Sequence, residues 1–443
     1  MSEPQPQVSL REAFLYWLKL GFISFGGPAG QLSMMHQELV EKRRWISEQR
    51  FLHALNYTML LPGPEAQQLA TYIGWLLHGK RGAFMAGLLF ILPSFFILSG
   101  LAWLYLVHGD VPVVQGVLYG IKPAVTAIVL FAAWRLAKKT LHTPALQALA
   151  LLALIGITAF KLPFPLIVFT AALAGLVLMK WFPHQLKVPA SHIAAPSAAT
   201  TAAVINDQSA VSARQRFSWR KLLIAVAIGI IVWLAAIGLL ITVYGWHSTQ
   251  TQLAWFFTKA ALLTFGGAYA VLPYVYQAVV EQYQWLTALQ MIDGLALGES
   301  TPGPLIMVVT FVGFVAGWSQ QLFGADSLLQ AGIMAAAIVT FFTFLPSFLF
   351  IIAGAPLVEA SRQHSAFTGP LTAITAAVVG VIVNLALFFG YYVLWPAGFA
   401  GQFDIKALLL GCAAALALFK FQHSIVRVLV FAAAAGVLLS LFK

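Results

Sequence analysis

The chain has little charge. Asp, Glu, Lys and Arg make up 9% of its 443 residues and apolar types 60%, against roughly 25% charged in a soluble domain. A water-exposed globular fold is therefore excluded, and most of the length must be hidden from solvent. Cysteine is almost missing. Cys412, the single one, lies in an apolar stretch and permits neither an intramolecular disulfide nor a thiolate metal cluster. The ten histidines form no HxxxH or HxxE pair on one helix face, so a metalloenzyme has little to start from; no metal or other cofactor is expected. The N-terminal MSEPQPQVSLREAF has no basic n-region and no cleavage site, so removal of a signal peptide is not expected. A net charge of +11 would suit nucleic acid, but the basic residues sit in short loops beside apolar runs, which is the pattern of membrane orientation.

Long apolar runs are present instead. Residues 83–107, 113–136 and 222–244 are each long enough to cross a hydrocarbon core of about 30 Å. The expected class is an all-α, polytopic membrane protein.

The sequence also repeats itself at a constant offset. Phe25-Gly26-Gly27 recurs as Phe265-Gly266-Gly267, Trp45 as Trp285, and Pro62-Gly63-Pro64 as Pro302-Gly303-Pro304, each 240 later (265−25, 285−45, 302−62). Lys19 and Lys259, Glu41 and Glu281, and Ser24 and Thr264 keep the same offset. Leu92-Pro93-Ser94-Phe95 returns as Leu345-Pro346-Ser347-Phe348 after a short insertion. The chain therefore divides into two halves, 1–186 and 221–443, joined by a polar, flexible linker over 187–220. The second half opens with an extra apolar helix near 221–244. One extra crossing reverses the direction of every later segment, so the halves should be inverted relative to each other.

Between the repeated motifs the helical stretches are short. Segments 10–25, 28–42, 47–61 and 64–78, and their mates 251–265, 268–282, 287–301 and 304–318, hold about 15 residues each. They reach roughly 22 Å, less than a bilayer core. Glycine and proline break helices at FGG and PGP, so each half is expected to begin with two re-entrant hairpins tipped by these motifs. With the N-terminus in the cytoplasm, the first half then has four full crossings and the second has five. Of the 25 Lys and Arg, only Lys161, Lys406 and Lys443 fall outside, and only Lys19, Lys122 and Lys259 fall within the membrane. The others, Arg43, Lys80, Lys139 and Arg362 among them, face the cytoplasm, as the positive-inside rule asks. The C-terminus then lies on the periplasmic side.

Helix N-termini exposed at such tips bind anions through unpaired N–H groups. The candidate substrate-binding residues are Lys19, Ser24, Phe25, Gly26, Gly27, Pro62, Gly63, Pro64, Lys122, Lys259, Thr264, Phe265, Gly266, Gly267, Thr301, Pro302, Gly303 and Pro304, with Ser300 as a further hydroxyl. Glycine at the tips can equally serve tight helix packing. Lys19 and Lys259 lie six residues before FGG and either approach the anion or snorkel to the interface. Lys122 is an anion contact or the partner of an intramembrane carboxylate. Glu65 and Glu299 flank the tips, as structural caps or as proton-coupling groups.

FGG, the downstream tryptophan and PGP, present in both halves at one spacing, resemble the chromate ion transporter family in its long, two-domain form. The resemblance spans nearly the whole chain apart from the linker; Ala268 departs from the proline at Pro28. It implies export of chromate across a bacterial inner membrane, with sulfate or another tetrahedral oxyanion as the related cargo. The expected partners are such an oxyanion and the lipid bilayer, with a homodimer as a candidate assembly. An intramembrane enzyme is the other class considered, but no nucleophile–base pair or metal cluster stands out, and no residue is assigned as catalytic.

The topology is checked by labelling single cysteines, in a Cys412→Ala background, with a membrane-impermeant maleimide. Gln320→Cys and Ser248→Cys should react from outside, whereas Arg43→Cys and Arg362→Cys should not; outside reaction at position 43 would remove the inverted arrangement.

Overall fold

A computed structural model describes residues 8–25, 27–186, 203–205, 217–265, 267–360 and 368–441. The expectations for Gly26, Gly266, Arg362, Lys443 and most of the linker lie outside the described residues. The fold is helical, and the described residues contain no strand beyond one isolated bridge, Ile46 with Ile205. In chain order the helices are α1 (Leu10–Ile23), α2 (Gly27–His36), α3 (Glu48–Leu60), α4 (Glu65–His108), α5 (Pro112–Thr140), α6 (Pro144–Ala159), α7 (Phe164–Trp181) and α8 (Trp219–Tyr244). The second set is α9 (Thr249–Leu262), α10 (Ala268–Tyr276), α11 (Ala288–Ser300), α12 (Val308–Ser319), α13 (Leu328–Ala360), α14 (Thr368–Leu394), α15 (Ile405–Phe419) and α16 (Ile425–Leu441).

Six of the described helices, α4, α5, α7, α8, α13 and α14, are long and apolar enough to cross a membrane. Three other expected crossings, α6, α15 and α16, are apolar but only 16, 15 and 17 residues long. At 1.5 Å per residue they rise roughly 22–26 Å. The extra helix is present as α8. It is the least buried of the long apolar helices, as a helix with lipid on most sides should be.

The 240-residue repeat holds at the level of backbone detail. α2 and α10 each run on into a π-helical turn, Gln37–Lys42 and Gln277–Gln282. Trp45 N donates to Leu39 O and Trp285 N to Val279 O, both at 2.8 Å. Arg44 and Gln284, at φ 51° and 53°, close the two turns. Ser47 and Thr287 cap α3 and α11 by accepting from the N–H groups of Arg50 and Gln290.

The short arms end where the sequence breaks them. α4 runs without a gap, but His78 and Gly79 leave the helical region, Gly79 at φ 61°. Gly74 then lies against the Gly82 carbonyl, so residues 65–77 form one arm that turns back onto the long helix. Residues 204 and 205, in the described part of the linker's middle, are held against the first half. Val204 N donates to Arg44 O, Ile205 N to Trp45 O and Ser47 N to Ile205 O, at 2.9–3.0 Å, because the extended loop after the π turn leaves its backbone edge open.

The C-terminal pairs of helices are exchanged between halves. α14 carries α6 and α7 of the first half, and α5 carries α15 and α16 of the second. α5 and α14 run antiparallel: Lys139 and Leu371 share one cavity wall, while Thr126 meets Gly390 farther along. Small residues permit the close crossings. A Cβ added at Gly120 would stand 2.0 Å from the Ala432 carbonyl oxygen and 2.9 Å from Gly436 Cα.

Gly120→Val should therefore force α5 and α16 apart and lower stability by about 1–3 kcal/mol, the usual cost of overpacking. The check is thermal unfolding in detergent followed by size exclusion; an unchanged midpoint would show that the crossing is not tight.

Candidate functional site: the helix tips and the cavities beside them

The four broken tips meet one another across the two halves. Gly63 N donates to Thr264 O at 2.7 Å, and its mate Gly303 N donates to Ser24 O at 3.0 Å. Each PGP tip is thus hydrogen-bonded to the residue preceding Phe-Gly-Gly of the opposite half. Gly63 and Gly303 adopt φ 128° and 105°, a region that side chains disfavour. Beneath them lie the serines of the other repeated motif, again exchanged: Ser347 faces Gly63 and Ser94 faces Gly303. Ser94 Oγ and Ser347 Oγ are buried and make no hydrogen bond. Gln31 ties two tips together, its Nε2 donating to Gly303 O at 2.6 Å and to Ser24 O at 3.2 Å. Gln68 Nε2 donates to Pro62 O at 2.8 Å.

The structure uses the expected hydroxyls differently. Thr264 donates to Ala260 O, Ser300 to Leu297 O and Thr301 to Gly298 O. A hydroxyl has one proton to give, so these three are not free donors. Ser24 Oγ accepts from Gly303 N at 3.1 Å. Phe25 and Phe265 are half-buried, whereas Thr301, Pro302 and Pro304 are buried.

A cavity of about 440 Å³ leads to the tips along one face of α5. Its lining includes half-buried Gly27, Pro28, Glu65 and Tyr269 and exposed Arg135 and Lys139. Glu65 also reaches toward Gly267, 3.8 Å from where a Cβ would stand. Glu299 is buried and accepts a hydrogen bond from Tyr269 Oη. Both carboxyl groups therefore gather at the second FGG tip. Arg135, Lys139 and Tyr269 escaped the sequence reading: α5 simply reads as a crossing with a basic cytoplasmic end, and no spacing rule places that end beside a tip.

A second cavity of about 640 Å³ lies on another face of α5, lined by Tyr105, Tyr119, Lys122, Asp293 and Lys406 among others. Lys122 and Arg135 differ by 13 positions, a rotation of roughly 220°. Lys122 Nζ lies 3.3 Å from Asp293 Oδ1, whose Oδ2 accepts from Tyr105 Oη at 3.0 Å. Lys122 therefore has a carboxylate partner on α11. Asp293 itself was missed, since nothing in the sequence pairs α11 with α5.

Lys19 and Lys259 line neither cavity. Lys19 stands on α1 between exposed Leu15 and Phe22, and Lys259 on α9 between Trp255 and exposed Leu262, at the same 240-residue offset. Side chains three and four apart share a helix face, so each lysine sits on an outer apolar face.

Between α3 and α13 the halves are tied by a buried ion pair. Arg50 Nη2 lies 2.8 Å from Glu359 Oε2, with both side chains 3% exposed. Tyr72 Oη donates to Glu359 Oε1 at 2.6 Å.

The comparisons agree with the doubled architecture. The family described as "Chromate transporter" matches residues 11–176 and again 251–437. The chain belongs to the chromate transporter family. A "Chromate transport protein" of Pseudomonas aeruginosa is 33% identical over 85% of this chain and 80% of its own length. Its counterpart in Cupriavidus metallidurans is 29% identical over 86% and 83%. A "Probable chromate transport protein" of Synechococcus elongatus is 29% identical over 98% and 96%. No solved structure matches. The chain is thus a multi-pass, all-α membrane transporter of this family, built from two repeated halves.

Removing one partner of a buried ion pair strands the other charge and costs about 3–5 kcal/mol. Arg50→Met should lower stability on that scale, and Arg50→Met combined with Glu359→Met should recover much of the loss. Additive losses in denaturation of the purified variants would show that the two charges are not coupled.

Proposed function

We propose that the protein exports chromate, or a related tetrahedral oxyanion, from the cytoplasm of a bacterium across the inner membrane. The observation that carries the reading is the cavity that runs from Arg135 and Lys139 to Gly27, Pro28 and Glu65. Two exposed cations in its lining raise the local anion concentration. α2 begins at Gly27, so its positive dipole end faces the cavity. At the tips, the partnerless hydroxyls of Ser94 and Ser347 each keep one proton for an arriving oxygen.

In this reading the halves are inverted and their short arms are re-entrant. α1 to α3 and the first arm of α4 occupy the cytoplasmic leaflet, and α9 to α12 the outer one. The N-terminus is cytoplasmic and the C-terminus periplasmic. Irregular backbone at that depth is tolerated because it is buried in protein or lines a cavity. A dianion leaving a cell whose interior is negative gains about 4.6 kcal/mol per 100 mV, twice the value for one charge. The membrane potential alone therefore favours export. Glu65 and Glu299 are the candidates for any proton coupling. Lys19 and Lys259, which line neither cavity, belong in this reading to the lipid interface rather than to the site.

Chromate uptake into inverted vesicles, with sulfate as competitor, tests the proposal. Arg135→Gln and Lys139→Gln should each weaken cytoplasmic chromate binding by about 0.5–1 kcal/mol at low salt, the scale of an exposed charge contact. High ionic strength should erase the difference. Lys19→Met should leave binding unchanged. Full chromate affinity in a folded Arg135→Gln, Lys139→Gln double variant would remove this cavity from the path. Glu65→Gln should abolish dependence on a pH gradient while substrate binding persists; unchanged dependence in the Glu65→Gln, Glu299→Gln pair would exclude coupling through these groups.

A further inference from the structure

The repeat is not equally open in its two halves. Gly27, Pro28, Leu32, Met59 and Glu65 are half-buried, and all five line the cavity that reaches the tips. Their mates 240 later, Gly267, Ala268, Leu272, Glu299 and Leu305, are all buried. On that side α10 packs through aromatic rings against α7 and α14. Tyr274 of α10 stacks on Phe164 of α7 at 5.4 Å, and Tyr276 lies 4.3 Å from Phe388 of α14. In transporters built from inverted repeats, access alternates as one repeat rocks or gates against the other around a fixed site. The mates of residues open on one side are therefore the candidates to open on the other.

We propose that the buried mates form a second, latent vestibule on the outer side, and that Glu299 makes it a place of anion release. The proposal rests on the transport reading above. When α10 leaves α14, Glu299 takes the position that Met59 occupies in the present cavity, and a carboxyl group lines the exit. The present cavity carries Arg135 and Lys139 against a single acid, Glu65. α14, the mate of α5, has no Lys or Arg between Gly369 and Leu394. Lys122, on another face of α5, is paired with Asp293. An oxyanion would thus be drawn in on the cytoplasmic side and repelled on the outer side. Export polarity is then written into an otherwise symmetric frame by two cations on α5 and one carboxyl group on α11.

Two measurements test this in the full chain with Cys412→Ala. First, Leu32→Cys and Leu136→Cys, which face the present cavity, are joined as a disulfide, and Leu272→Cys is labelled from outside with an impermeant maleimide. The disulfide should accelerate labelling about tenfold or more, as expected when one of two exchanging states is trapped. Failure of the disulfide to form in a chromate-transporting protein overturns the proposal. So does a Leu272→Cys that stays unreactive while Gln320→Cys reacts. Second, Glu299→Gln should lower the half-saturating external chromate for exchange about tenfold, near 1.4 kcal/mol, and leave the cytoplasmic value unchanged. Equal change on both sides, or none, overturns the release role. The labelling needs no chromate, so it separates failure of the vestibule from failure of the oxyanion reading, which wild-type protein inactive toward chromate would show directly.

Discussion

The structure depends on how broken helices find hydrogen-bond partners away from water. An unpaired backbone N–H in an apolar interior costs several kcal/mol, and four tips concentrate such groups in one place. The solution is reciprocal. Gly63 donates to Thr264 and Gly303 to Ser24, so each half completes the other. Glycine is required there because φ is positive and because Ser347 and Ser94 occupy the space a side chain would need. The same reciprocity recurs in the exchange of α6 and α7 for α15 and α16. The halves are thereby interlocked, and neither has a complete core or a complete tip alone.

Charge is distributed according to what can solvate it. The lysines at 19 and 259 keep long stems on apolar faces from which an ammonium can reach an interface. Arg50 with Glu359 and Lys122 with Asp293 are deeper, and each pair joins the hairpins of one half to a long helix of the other. A tyrosine hydroxyl, Tyr72 or Tyr105, takes up a further carboxylate lone pair in each. Buried pairs of this kind add little net stability but penalise misalignment strongly. They are suited to fixing how the halves meet. Arg135 and Lys139, by contrast, stand at an open cavity, where a mobile anion can be their partner.

The departures from symmetry change the charge and polarity near the tips. Glu65 has Leu305 as its mate, Glu299 has Met59, and Tyr269 has Ala29. Among the described residues, those the halves share at PGP, together with the buried serines, build the tips. The unshared ones decide what is charged near them.

Much of this was legible in the residues. Low charge and long apolar runs required a membrane, and a 240-residue offset held by rare residue types required a repeat. Glycine and proline at FGG and PGP required breaks, because their backbone limits are intrinsic and do not wait for a partner. The lengths of the arms came directly from those breaks. Contacts between distant segments were not legible, because periodicity says which face is apolar and not which helix covers it. Only the tertiary structure seated Lys122 on Asp293, turned the hydroxyls of Thr264 and Thr301 back onto their own helices, and set Lys19 and Lys259 on outer faces. It also brought the basic end of α5 to the first FGG tip and bound each PGP glycine to the opposite half. These outcomes depend on how two copies of one pattern pack against each other, and a single copy of the pattern does not contain them.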